Sequence, residues 1–233
     1  ITNAPQADVF LVMARTDPSS TGSNGISAFL VDATLDGIRV GDPPKMLGNE
    51  GSHACYVWFE NCEVPADSIV GGQEGRGLKA ALRGINHARL HVAATCVGQA
   101  IRLITEMTEY ASKREQFGKR IGEFGQIAAM LADSRAEMAA GRALCLDCAK
   151  QFDAGDQIPF IDIASAKLFC SEMVSRVADR AVQVMGGLGY MEDLSDVPRL
   201  FRDVRLFRIF EGASQVQQGN IARSMMKDNE SSS

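Results

Sequence analysis

The chain has 233 residues, of which 45% are apolar and 23% charged, and its formal net charge is -5. These proportions are ordinary for a globular protein, and the acidic balance argues against a nucleic-acid partner. No apolar run approaches the ~18 residues that a transmembrane helix needs, so we expect no membrane span. The length permits one large domain or two smaller ones.

The N-terminal stretch ITNAPQADVFLVMAR has no basic segment followed by an apolar one, so it is not typical of a secretory signal. It opens on strand-like sequence without an initiator Met. We therefore expect that this chain is the later part of a longer protein.

Six cysteines are scattered among apolar or helical neighbours. This usage favours a reducing, intracellular compartment. Cys145 and Cys148 form a CxxC pair, but no second pair or HxxxH completes a zinc site. We therefore expect no metal and predict two buried thiols on one helix face.

Residues 1–72 have the pattern of a β-domain. Short apolar runs such as DVFLVMAR, ISAFLVDA and ACYVWFENCEV alternate with turn-rich segments such as TDPSSTGSNG. The glycine-rich segment GGQEGRG at 71–77 follows them. Because it matches neither GxGxxG nor GxxxxGK[ST], the sequence favours a flexible connector over a phosphate-binding loop.

Apolar residues recur at helical spacing after this segment. Helices are predicted at 96–114, 127–152, 161–185, 200–208 and from just after Gly212. The buried stripe of the first helix is predicted to contain Val97, Ile101, Ile104, Met107 and Ala111. Gly186 and Gly187 stand where a helix C-cap is usual.

These elements predict a mainly α fold, in which a partial antiparallel β-domain precedes an up-and-down bundle of four long helices. We assign residues 1–72 to the C-terminal part of the β-domain and 73–228 to the bundle. Residues 229–233 are predicted to be a disordered tail.

Three local patterns carry candidate chemistry, and each has two interpretations. The segment SKREQFGKRIGEF at 112–124 surrounds Phe117 and Gly118 with four cations, which suits either a diphosphate and a flat ring or a solvated turn. In QVMGGLGY, Gln183 precedes two glycines that admit either a close cofactor or a plain helix end. Glu211, between Phe210 and Gly212, is either a cap or a base in a dry pocket.

In their order along the chain, these segments resemble the acyl-CoA dehydrogenase family. KREQFGK resembles its R-x-x-F-G element, QVMGGLGY its Q-x-x-G-G element and FEGASQVQ its Y-E-G-T-S-Q element. ITNAPQADVFLVMAR and FENCEVPADSIVGGQEGRGL resemble the strands and the end of the family's middle β-domain. The resemblance spans about 220 residues and implies that a preceding helical domain and the start of the β-domain lie outside this chain.

The resemblance implies oxidation of an acyl-CoA thioester to its 2,3-enoyl thioester. Glu211 would remove the α-proton, FAD would accept the β-hydrogen as hydride, and an electron-transfer flavoprotein would reoxidise the flavin. A dry site suits such a base, because burial raises the pKa of a carboxylate and so makes it more basic. The thioester oxygen would be held by the backbone N–H of Glu211 and a flavin hydroxyl.

The resemblance also implies binding roles and a homotetramer or dimer, in which some FAD contacts cross between subunits. The implied FAD contacts are Thr2, Arg114, Phe117, Gln183, Gly187 and Gln215. The implied substrate contacts are Asn86, Arg89 and Gly212.

Some family members carry the base on an earlier helix, directly before an arginine. Ala88 precedes Arg89 here, which favours Glu211 as the base. Three residues depart from the family pattern: Ala213 replaces a threonine, Asn86 stands where many members have Asp, and Gly125 replaces a Gln. Two alternatives remain open, an acyl-CoA oxidase of the same fold and a non-catalytic helical oligomerisation fragment.

Overall fold

The computed structural model describes residues 1–155 and 160–231, with side chains through residue 227. These residues form two compact units, Ile1–Ile85 and Asn86–Ser233. The division falls inside the first long helix, whereas the sequence predicted a boundary between residues 72 and 73.

The first unit contains two antiparallel strand pairs. Strand β1 (Val9–Arg15) pairs with β2 (Ile26–Asp32). Strand β3 (Ile38–Val40) pairs with β4 (Val57–Phe59). Turn-rich sequence separates the strands, and short 3₁₀ turns occupy Ala4–Gln6, Ser23–Gly25 and Ala66–Ser68.

Phe10 and Val31 are the largest buried side chains in the core of the first unit. They face each other across β1 and β2, and Ala4 and Cys55 lie in the same cluster. The Phe10 ring meets the Phe59 ring edge-on, with centroids 5.9 Å apart. Phe10 therefore links the two strand pairs into one core, which confirms the predicted antiparallel β-domain.

The glycine-rich segment at 71–77 lies against β2, contrary to the predicted flexible connector. The Gly75 N–H donates to the Ser27 hydroxyl at 2.9 Å. A Cβ on Gly75 would lie 2.2 Å from the Asn24 carbonyl oxygen, and one on Gly77 would lie 2.3 Å from the Ala28 nitrogen. The glycines are needed for this close approach, which no local sequence pattern reveals.

The second unit is helical. Its helices are α1 (Gly77–Lys113, which begins in the first unit), α2 (Gly125–Asp153), α3 (Phe160–Met185), α4 (Val197–Val204) and α5 (Ser214–Ser231). A small hairpin of β5 (Glu115–Gln116) and β6 (Lys119–Arg120) separates α1 from α2. Further 3₁₀ turns occupy Ile121–Glu123, Gly186–Tyr190 and Arg205–Arg208.

Helix α3 buries half of its residues and packs against α2, α4 and α5. Its inward face, which includes Met173, Val174 and Val177, shares one apolar cluster with α1 and α2. The four long helices α1, α2, α3 and α5 confirm the predicted mainly α bundle. Helix α3 ends at Gly186, whose φ of 58° fits the predicted C-cap.

The predicted buried stripe of α1 is wrong at one position, because Ile101 is 44% exposed. The buried face instead runs through the small residues Ala93, Cys96 and Ala100, and then Leu103 and Met107. Small side chains let a neighbouring helix approach closely, so the seam follows them and turns away from Ile101.

All six cysteines are free thiols, and Cys145 and Cys148 are buried as predicted. The Cys145 and Cys170 sulfurs lie 3.7 Å apart between α2 and α3. Helix α5 continues to Ser231, past the predicted start of the disordered tail at residue 229, whose last two residues lie outside the described ranges. Within the described ranges, no helix is long and apolar enough to cross a bilayer.

Candidate active site

The backbone turns sharply at Glu211 and Gly212, between the 3₁₀ turn that follows α4 and the start of α5. Both residues have left-handed φ angles, 51° for Glu211 and 92° for Gly212. The first is a genuine deviation, since a residue with a Cβ rarely adopts this conformation. Such strain persists only where the surroundings hold the backbone in place.

Three side chains from three helices hold this turn by its carbonyl oxygens. Arg89 Nε of α1 donates to the Glu211 oxygen at 3.1 Å. Lys167 Nζ of α3 donates to the Gly212 oxygen at 2.8 Å. Gln217 Nε2 of α5 donates to both oxygens, at 3.1 Å and 3.3 Å. We call Arg89, Lys167 and Gln217 the carbonyl cradle.

The cradle leaves no room for a side chain at position 212. A Cβ on Gly212 would lie 2.3 Å from Gln217 Nε2 and 3.5 Å from a terminal nitrogen of Arg89. Gln217 is fully buried and bonded twice, so it cannot swing aside cheaply. Glycine is therefore required here by both conformation and space.

A second set of contacts fixes the residues on either side of the turn. Glu172 of α3 accepts from Arg208 Nε at 2.8 Å and from the Ser214 hydroxyl at 2.6 Å. Burial alone would raise the pKa of Glu172, but the Ser214 and Arg208 hydrogen bonds outweigh it and hold that pKa below its usual range. Glu172 thus anchors both ends of the segment as an anion.

The electrostatic setting of Glu211 is cationic. Its carboxylate is partly buried and, among the described residues, accepts no hydrogen bond. Arg89 is 7% exposed and Lys167 fully buried, and burial lowers the pKa of each, an effect that the nearby Glu211 charge opposes. Glu211 is therefore held in place through its backbone oxygen, and its carboxylate is left without a donor among the described residues.

Sequence reasoning found Glu211, Gly212 and Arg89 but missed Lys167, Gln217 and Glu172. Lys167 did leave a signal, because a charged lysine interrupts the mostly apolar buried face of α3. Gln217 and Glu172 left no signal in the sequence. The partners of Gln217 are backbone oxygens, and the partners of Glu172 are distant in sequence. Arg89 turns inward, donating to Asn86 Oδ1 at 2.9 Å as well as to Glu211. The predicted substrate contacts Asn86 and Arg89 therefore bind each other.

The hairpin between α1 and α2 carries a second strained residue. Phe117 and Gly118 form its two-residue loop, with φ angles of 53° and 78°. Such loops favour Asn-Gly or Asp-Gly because both positions need positive φ. A phenylalanine there is unusual, and its ring is 93% exposed. An exposed aromatic ring in a strained position is a common sign of a binding surface.

This hairpin borders a cavity of about 370 Å³ that also reaches the end of α3. Arg114 and Phe117 line it on one side, and Gly186 and Gly187 on the other. A Cβ on Gly187 would meet only the end of the Met191 side chain, at 3.7 Å. The fold thus brings together two motifs that are about 70 residues apart in sequence, as a shared binding role requires.

Three other predicted cofactor contacts lie on exposed positions. Gln183 is on the last turn of α3 and Gln215 on the first turn of α5. Thr2 belongs to the first unit, where it forms an isolated bridge with Ala54. All three stay predictions.

Comparison with known proteins identifies the family. The acyl-CoA dehydrogenase C-terminal domain model matches residues 75–226, and the middle domain model matches residues 1–62. The chain belongs to the acyl-CoA dehydrogenase family. The resemblance predicted from the motifs is confirmed.

Named members of the acyl-CoA dehydrogenase family align with nearly the whole of this chain. A probable short/branched chain specific acyl-CoA dehydrogenase of Dictyostelium discoideum is 37% identical over 98% of this chain and 54% of its own length. Butyryl-CoA dehydrogenase of Megasphaera elsdenii superposes with a TM-score of 0.90 at 34% identity, over 97% of this chain and 58% of that one. A structure described as PigA with FAD and proline superposes with a TM-score of 0.91 at 30% identity, over 96% and 57%. The chain spans a little over half the length of these relatives.

Proposed function

We propose that the protein catalyses FAD-dependent α,β-dehydrogenation of an acyl-CoA thioester, with Glu211 as the base. The observation that carries this proposal is the Glu211–Gly212 turn, whose two carbonyl oxygens are held by three side chains while the carboxylate accepts no hydrogen bond among the described residues. A base that is fixed in position but not engaged suits proton abstraction.

The chemistry of the first step falls to Glu211 alone. The α-carbon C–H bond of the thioester breaks, its electron pair delocalises onto the thioester as an enolate, and the proton bonds to a Glu211 carboxylate oxygen. Within the described ranges, the Glu211 N–H has no acceptor, so it is available to the thioester oxygen. A donor placed there stabilises the charge that develops on that oxygen.

Gly212 contributes by allowing the left-handed turn and the close approach of Gln217. The turn at 211–212 is partly exposed, so another molecule can reach its backbone. This supports the predicted role of Gly212 as a thioester contact. Phe210 stacks on the Phe207 ring, with centroids 5.7 Å apart, and places an apolar surface next to Glu211. Such a surface limits water around the base.

The described residues suit FAD. Arg114 has the geometry to bind a diphosphate in a bidentate manner, and the exposed Phe117 ring can cover a flat heterocycle. Gly187 leaves room for the adenosine portion, and Gln183 and Gln215 are exposed where they can donate to it. When bound, FAD supplies the hydride acceptor for the β-carbon. We propose that Arg114, Phe117 and Gln183 serve the cofactor of a neighbouring subunit in a dimer or tetramer.

The test is a substrate screen on the complete FAD-loaded protein. We expect anaerobic addition of saturated acyl-CoAs, from short to long and branched, to bleach the flavin and release the 2,3-enoyl thioester. Reoxidation by an electron-transfer flavoprotein, and slow reoxidation by O₂, would support a dehydrogenase, whereas rapid turnover with O₂ would identify an oxidase. A protein that takes up no FAD, or FAD that no thioester bleaches, would contradict the proposal.

A further inference from the structure

Lys167 is a buried cation in the helical unit. It lies on the inward face of α3 and is fully buried. Its Nζ donates to one acceptor that the structure identifies, the Gly212 carbonyl oxygen at 2.8 Å. Burial of a cation is costly, and an apolar side chain of the same length would fill this space at lower cost. The lysine therefore has a role other than packing.

The groups around Lys167 show where its charge acts. Glu211, Glu172, Arg89 and Cys96 are its charged and titratable neighbours. Burial raises the pKa of the Cys96 thiol to about 12, so this neighbour is neutral at physiological pH. Glu172 is already engaged by Arg208 and Ser214. Glu211 is the remaining carboxylate of this set, and its own hydrogen bonds are confined to its backbone oxygen.

We propose that Lys167 is a positioning residue for the reaction, which holds the Gly212 carbonyl so that the strained 211–212 turn presents the Glu211 carboxylate and N–H to the thioester. This inference rests on the proposed function. The hydrogen bond at 2.8 Å fixes the turn one residue beyond the base.

Two substitutions test the hydrogen bond to the Gly212 oxygen. Lys167→Met removes the donor and the charge, whereas Lys167→Gln removes the charge but keeps an N–H donor on a side chain that is shorter by one atom. Lys150→Met is the matched control, because it makes the same chemical change on an exposed lysine of α2. Each variant is made in the complete FAD-loaded protein. FAD content, thermal midpoint, thioester Kd and the rate of α-hydrogen exchange with D₂O are measured for each variant.

We expect Lys167→Met to retain FAD and thioester affinity but to exchange the α-hydrogen about 100-fold more slowly, the effect of displacing a catalytic group by ~1 Å. Lys167→Gln is expected to recover part of that rate. In both variants the loss is expected in the exchange rate and not in the thioester Kd, because the hydrogen bond to the Gly212 oxygen orients the base. A purely structural lysine would lower the thermal midpoint and the thioester affinity together, without a selective loss of exchange rate.

The proposal is overturned if both Lys167 variants exchange within twofold of the Lys150→Met control, or if their exchange rates fall only in proportion to a loss of thioester affinity. If Lys167→Met loses FAD, Lys167→Gln becomes the deciding variant, and its exchange rate and thioester Kd are compared with those of the control. A Glu211→Gln variant distinguishes the two levels of the account. If it still exchanges the α-hydrogen, the proposed function itself is wrong. If it is inactive while the Lys167 variants are normal, only the role of Lys167 is wrong.

Discussion

Gly212→Ala tests whether the carbonyl cradle and the left-handed turn are as tightly fitted as their geometry indicates. Alanine at a φ of 92° costs roughly 1–2 kcal/mol of conformational strain. Its Cβ would lie 2.3 Å from Gln217 Nε2 and displace two hydrogen bonds, each of which contributes about 1 kcal/mol. The sum predicts a loss of roughly 3–4 kcal/mol in the free energy of unfolding.

Gly219→Ala is the matched control, since Gly219 lies in α5, has no positive φ and has no atom within 4 Å of a built Cβ. Alanine in a helix interior is better than glycine by up to about 1 kcal/mol, so this control is expected to be neutral or stabilising. Thermal unfolding followed by circular dichroism is expected to show a midpoint about 10 °C lower for Gly212→Ala. If the two variants unfolded within about 1 kcal/mol of each other, the reasoning about the cradle would be refuted.

Two further predictions concern a surface ion network and the hairpin loop. Burial would raise the pKa of Glu137, but hydrogen bonds and charges from Arg180 and Arg176 outweigh it and hold that pKa below its ordinary 4.5. The contribution of Glu137 to folding stability is therefore complete above pH 4.5 and is lost as the pH falls through the folded pKa. Glu137→Gln is therefore expected to lower the free energy of unfolding by about 1 kcal/mol at neutral pH and to leave it unchanged in acid. Urea unfolding measures both values, and the same difference at both pH values would contradict this expectation. Phe117→Asn is expected to keep or raise the thermal midpoint, because Asn tolerates positive φ, while FAD affinity falls about tenfold by fluorescence titration. FAD affinity equal to that of the unmodified protein would remove Phe117 from the cofactor site.

The sequence predicted the parts of the fold that depend on local periodicity. The long helices followed from apolar residues at helical spacing. The end of α3 followed from Gly186, whose conformation few other residues adopt. Glu211 was found through the order of motifs along the chain, although the residue alone was ambiguous.

What the sequence did not predict depends on contacts between distant residues. Ile101 was placed in the core because it is large and correctly spaced, but smaller residues define the helix seam. The segment at 71–77 was expected to be flexible, whereas close approach to β2 explains its glycines. Lys167 donates to a backbone carbonyl 45 residues away. Gln217 donates to one only 6 residues away, but a backbone carbonyl leaves no mark in the sequence.

The central claim is that Glu211 is the base, and Glu211→Gln in the complete FAD-loaded protein tests it most directly. Glu109→Gln, which makes the same change on an exposed glutamate of α1, is the control. We expect Glu211→Gln to retain FAD and bind acyl-CoA but to lose α-hydrogen exchange and flavin bleaching by at least about 100-fold, while Glu109→Gln behaves like the unmodified protein. Flavin bleaching at a near-normal rate in Glu211→Gln would contradict the account.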